Sequence, residues 1–138
     1  MSELDRFLKA QENSFERALS EIENGKKETH WMWYIFPQIK GLGKSYNSIF
    51  YGIDSKMEAS KYLSHEVLGP RLKICIEALL THADKTAREV LGGVDSMKLK
   101  SSMALFNEVS NEACFEKVLG TFFNCTKCQK TLSLLQNK

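Results

Sequence analysis

The 138-residue sequence has no apolar run near the ~20 residues a membrane-spanning helix needs, so no membrane partner is expected. It has no strong charge of either sign. A net charge of +2 is too small to argue for wholesale nucleic-acid binding. Repeats, low-complexity segments and linkers are absent, and the length suits one domain spanning 1–138. No period-two apolar alternation with turn chemistry occurs, which argues against a sheet protein. Of the four cysteines, Cys125 and Cys128 make half of a zinc pattern. Cys75 and Cys114 are isolated and no His-x₃₋₅-His exists, so no metal and no cofactor are expected. The polar, acidic opening Met1-Ser-Glu-Leu-Asp5 does not read as a signal peptide, so a cytoplasmic location with free thiols is the expectation.

What is present is helical periodicity. The 43% hydrophobic and 26% charged content is that of an ordinary globular chain. Leu4, Phe7, Leu8, Gln11, Phe15, Ala18, Leu19 and Ile22 fall at steps of three and four, predicting one long first helix closed by Asn24-Gly25. Ser55-Lys-Met-Glu58 has capping-box spacing and opens a helix to about Leu63. Pro70 suits the first residue of a helix reaching about His82. Further starts are expected at the caps Asp84, Asp95 and Asn111, and at a second capping box, Thr126-Lys-Cys-Gln129. The fold expected is all-α: a single compact domain of about six to eight helices, with an irregular aromatic and glycine-rich segment at 25–52.

That segment carries both tryptophans and three of the four tyrosines among Lys27, His30, Gln38, Lys40, Lys44 and Ser45. His30 to Phe36 reads equally as a short helix or a buried strand. Trp31 and Trp33 share a face only on a strand; one can anchor the core while the other lines a groove. Gly41-Leu-Gly-Lys-Ser45 invites a P-loop reading, but the motif needs glycine where Gln38 stands. A looser anion nest at Lys40, Lys44 and Ser45 and a plain surface turn both remain open. His30 can act as general acid or base or bind a phosphate; His65 is a second candidate, and a structural role competes for each. Asp95, Lys98, Ser101 and Ser102 gather at a helix start, with Lys98 and Ser101 on one face. Cys125-x-x-Cys128 reads as metal half-site, redox pair or core thiol.

His30-Trp-Met-Trp-Tyr-Ile-Phe-Pro-Gln38 followed by Gly41-Leu-Gly-Lys-Ser45 resembles the signature of the domain-of-unknown-function family numbered eighteen-ten. Tyr51-Gly-Ile53, Tyr62-Leu-Ser-His65, Leu68-Gly-Pro-Arg-Leu72 and Asp95-Ser-Met-Lys-Leu-Lys-Ser-Ser-Met103 extend the likeness over essentially the whole chain. The resemblance implies a compact all-α domain and no established activity. Some members carry a calpastatin-like label, yet calpastatin is extended and partly disordered, whereas this composition is globular. The chain departs from the family pattern at Ala104, usually Thr. It departs again near Asn124–Cys128, where a family carboxylate is missing.

The leading functional expectation is a soluble small-molecule-binding domain with an anionic, nucleotide-like or ADP-ribose-like ligand and a hydrolase or transferase as its fullest form. The expected ligand-binding residues are Lys27, Trp33, Gln38, Lys44, Ser45, Arg71, Lys98 and Ser101, with His30 as the catalytic candidate. Trp33 would stack, and Lys44, Arg71 and Lys98 would pair with charge. The alternative is a protein- or peptide-interaction module using the aromatic stretch.

Overall fold

A computed structural model describes residues 3–136; Met1 and Ser2, which open the polar N-terminus read above, lie outside them. The described residues form ten α-helices: α1 (Asp5–Glu12), α2 (Phe15–Glu23), α3 (Met32–Ile35), α4 (Tyr46–Phe50), α5 (Lys56–Ser64), α6 (Leu68–Leu80), α7 (Ala87–Leu91), α8 (Gly93–Val109), α9 (Ala113–Phe123) and α10 (Gln129–Gln136). The all-α domain is as expected, with more helices than the six to eight counted. The single long first helix is corrected: it breaks at Asn13-Ser14, two residues whose side chains compete with the helical ladder. The periodicity runs on because the break keeps Gln11 and Phe15 four apart. Met32–Ile35 settles the helix-or-strand question with one helical turn.

Several helix starts differ from expectation. Ser55 does cap α5, accepting from Glu58 N at 3.1 Å. Asp84 caps nothing; Thr86 and Glu89 form the reciprocal capping box of α7 instead. Asp95 sits inside the first turn of α8, whose N-cap is Gly92 at φ +90°. Asn111 yields to Glu112, whose N–H donates to Ser110 Oγ. Thr126 donates to Phe123 O after the end of α9, and α10 starts only at Gln129, two residues later than a Thr126 cap requires. Pro70 is the third residue of α6, because His65 Nδ1 accepts from Val67 N and Leu68 N and starts the helix earlier. Of the two histidine readings, His65 is therefore structural. Gly25, at φ +74°, ends α2 as its left-handed cap should.

Helix α8 is the centre of the molecule. Leu99, Met103, Ala104, Leu105 and Phe106 are all fully buried, since α5, α7, α9 and α10 pack around it. A helix apolar on more than one face must be enclosed. The segment between α3 and α5 is tied by one parallel bridge: Lys40 N donates to Ile53 O at 2.7 Å and Ile53 N to Gln38 O at 2.9 Å. Gly52 permits that closure, because a Cβ there would lie 2.7 Å from Ser48 O and 2.8 Å from Lys40 Cα. Among the described residues no helix is long and apolar enough to cross a membrane.

Candidate functional site

The aromatic stretch is set in place by one carboxylate. Glu21, 7% exposed, accepts from Glu28 N (2.7 Å), Thr29 N (2.9 Å), Thr29 Oγ1 (2.6 Å) and Trp31 Nε1 (2.8 Å). Burial works against its charge, but these hydrogen bonds overcome that and hold the carboxyl at about 2. Trp31 is thereby locked into the core at 1% exposure. The chain then turns through α3, leaving Trp33 half-buried on the outer side. One tryptophan anchors and the other lines a groove, because two residues apart on a helix they face different ways.

A second clasp joins this stretch to α8. Asp95 takes Lys27 Nζ on one oxygen (2.8 Å) and Lys98 Nζ on the other (3.1 Å). Burial disfavours the Asp95 charge, yet the two lysines hold its carboxyl below the usual range. Lys27 also donates to Thr29 O, and its side chain is 8% exposed. Lys98 Nζ in turn lies 3.9 Å from the Trp33 ring centroid, a cation–π contact.

Between the two elements lies an open pocket of about 460 Å³. Trp33 and Gln38 line one side, with Leu42, Gly43, Lys44, Ser45 and Ser48 following from the turn and α4. The other side is one face of α8: Val94, Met97, Lys98 and Ser101, spaced by three and four. Among the described residues the lining has two lysines and no carboxylate. Lys44 is exposed. Ser48 is 3% exposed and its hydroxyl has no hydrogen-bond partner among the described residues. Ser45 Oγ accepts from Ser48 N, and Ser101 Oγ donates to Met97 O. Such a concave, mixed lining suits a small ligand.

The structure brings six expected residues to this one pocket: Trp33, Gln38, Lys44, Ser45, Lys98 and Ser101. Three others are placed elsewhere. Lys27 stands behind Asp95 and orients Lys98 indirectly. Arg71 lies over Phe15 (4.8 Å) in a separate depression with Gln11, Glu12 and Glu16, so it meets acidic neighbours there. Its direction follows from α6 packing against α2. His30 is exposed, outside this lining, and its backbone carbonyl accepts from Tyr34 OH. A site uniting His30, Arg71 and Lys98 is not formed. The expected stacking on Trp33 is also changed, because Lys98 already covers a ring face. Val94 and Met97 were legible in principle, being on the helical face of Lys98 and Ser101; Ser48 carried no sequence signal.

The remaining candidates fall outside this lining. All four cysteines are free thiols. Burial raises the Cys128 thiol, but the Ser101 and Thr131 hydroxyls and the backbone N–H groups beside it outweigh burial and lower it overall. Among the described residues, one group has metal-ligand spacing, Glu3, Asp54 and Glu58. The Arg6 guanidinium reaches both Glu58 oxygens at 3.2 Å and donates to the Glu3 backbone carbonyl, so the Glu58 carboxylate is already engaged. Gly41-Leu-Gly-Lys-Ser45 has no parallel sheet around it among the described residues, and the helix after it has five residues, so it is not a P-loop.

A crystal structure of the conserved hypothetical protein Rv1873 from Mycobacterium tuberculosis superposes with a TM-score of 0.94. The two chains share 36% identity over 96% of each. No curated protein matches the sequence. The sequence pattern of a family described as a protein of unknown function, DUF1810, matches residues 1–135. Neither description states an activity or carries the calpastatin label. With this coverage and this shared fold, the chain belongs to the DUF1810 family.

Proposed function

We propose that the chain is a small-molecule-binding domain whose ligand is an anion held between the 38–48 turn and α8. The carrying observation is the lining itself, which sets Lys44 and Lys98 around a concavity that no carboxylate lines among the described residues. Asp95 is shared between Lys27 and Lys98, and Lys44 has no ion pair among the described residues, so the pocket side carries net positive charge. Opposite charges about 4 Å apart gain several-fold more at a partly buried site than in bulk water. Of the nucleotide-like and ADP-ribose-like ligands, the anionic portion is the part this lining supports. A hydrolase or transferase reading rests on His30, which is outside the lining, so the proposal is for binding.

Thermal denaturation with millimolar phosphate, sugar phosphates, AMP, ADP-ribose and NAD tests this. A ligand at 100 times its dissociation constant adds about 2.7 kcal/mol. At least one anion is expected to raise the midpoint, and Lys44→Ala with Lys98→Ala to abolish the rise. No rise with any of them overturns the proposal. The reading as a peptide-interaction module draws on exposed Tyr46, Ile49, Phe50 and Met57, with Tyr46 stacked on Phe50 at 5.5 Å. Tyr46→Ser would disable that function and leave anion binding intact.

A further inference from the structure

A plain anion accounts for the lysines and for the unpartnered Ser48 hydroxyl, but not for the apolar half of the lining. Trp33, Leu42, Val94 and Met97 share the concavity with Lys44 and Lys98. Val94 is 73% exposed and Met97 56%, although further along the same helix Leu99, Met103 and Phe106 are fully buried. Three residues apart, Val94 and Met97 form one apolar step on the outer face of α8. Single exposed apolar residues are ordinary. An apolar patch that lines a concavity and is bordered by polar groups marks a ligand groove.

The two kinds of side chain are also separated along α8. Val94 and Met97 come first, and Lys98 and Ser101 follow on the same side of the pocket. From Val94 to Ser101 the helix rises about 10 Å, at 1.5 Å per residue. That is long enough for a charged head and a short chain laid end to end. In the facing turn Leu42 stands two residues before Lys44. A phosphate-sized anion fills only the lysine end and leaves Val94 and Met97 as wet as before. A flat ring gains little, since Lys98 already lies 3.9 Å over the Trp33 ring. The Met97 thioether, by contrast, adapts to a flexible chain.

Resting on the anion reading above, we infer that this pocket takes an alkyl phosphate, with the phosphate at Lys44, Lys98 and Ser48 and an aliphatic chain along Leu42, Val94 and Met97. The lysines hold the charge, and the chain gains affinity by removing the two exposed side chains from water.

Calorimetric titration of the full chain with inorganic phosphate and with methyl, propyl and pentyl phosphate tests this, because the head is constant along the ester series. Pentanol and phenyl phosphate serve as neutral and flat comparisons. A fully buried CH₂ is worth about fourfold in affinity, and about twofold is expected in a pocket open on one side. Pentyl phosphate should therefore bind about tenfold or more tighter than methyl phosphate, with a heat-capacity change that grows more negative along the series. A pentyl ester bound where the methyl ester is undetected counts the same way. Val94→Ser and Met97→Ser change exposed side chains, so both should fold, and each should cut the pentyl-to-methyl ratio to about threefold or less. Lys44→Ala should weaken every ester by the same factor. Equal affinity for methyl and pentyl phosphate overturns this inference while the anion site stands. Phenyl phosphate binding tenfold tighter than the pentyl ester overturns it in favour of ring recognition. Pentanol binding as tightly as pentyl phosphate, or no binding by any phosphate, overturns the anion reading and this inference together.

Discussion

Replacing Glu21 with glutamine should unfasten the aromatic stretch while changing little in size. The carboxylate accepts four hydrogen bonds, two of them on backbone N–H groups at 28 and 29. Glutamine swaps one accepting oxygen for a donor, which then faces other donors. The pKa measures what the charge contributes. Hydrogen bonds hold the folded carboxyl at about 2, against 4.5 in the unfolded chain. At 1.36 kcal/mol per unit this is about 3 kcal/mol favouring the folded state. For a chain of this size that is roughly 10 °C in Tm. The sign follows from the depression: stability from Glu21 is complete above about pH 5.5 and is lost as pH falls through 4.5 toward 2. Urea denaturation of wild type and Glu21→Gln at pH 7, 5, 4 and 3 is the assay. The gap between them should be about 3 kcal/mol at pH 7 and should close on acidification. A gap under about 1 kcal/mol at pH 7, or one that stays constant to pH 3, refutes the reasoning. Trp31 fluorescence offers a local readout, since its indole N–H is one of the four donors.

Further expectations concern packing and thiol chemistry. Gly69→Ala puts a Cβ 2.1 Å from Leu63 O, a backbone atom that cannot step aside, so thermal denaturation should show a loss at or above the ~1–3 kcal/mol of ordinary overpacking; an unchanged midpoint would contradict the α5–α6 approach. Iodoacetamide at pH 7.5 should label Cys128 well before Cys75, read by mass spectrometry of timed digests. Burial pushes the Cys75 thiol up to about 12, whereas hydrogen bonds lower that of Cys128. Labelling of Cys75 first would show that opening of α6, and not thiolate population, sets the rates.

The candidate pocket was partly legible before any coordinates. Its turn is the most unusual stretch by composition, and Lys98 and Ser101 share a helical face by spacing alone. Arg71 was drawn in by its guanidinium chemistry, and chemistry says nothing about direction; the residue emerged on the α1–α2 side beside Glu12 and Glu16. His30 was drawn in by its neighbours, yet being next to Trp31 in sequence does not give it the same side of the chain. Of the misjudged helix caps, Asp84 and Asn111 gave way to near neighbours in the chain, and one residue was claimed by a tertiary partner. That residue is Asp95: a natural cap by type, it is held instead between Lys27 and Lys98.

By itself the sequence determined the all-α class and the burial of residues such as Ile22, Leu72, Ile76 and Phe106, because a 3.6-residue period leaves a local imprint. It also determined Gly25 and Ser55 as helix boundaries, since capping involves neighbours in the chain. Only the tertiary structure decided that Trp33 meets Lys98, that Gln38 and Ser48 are buried at the wall of one pocket, and that Lys27 is used structurally. Those pairings join residues tens of positions apart, and the packing of α8 against its neighbours selects which side chains face one another.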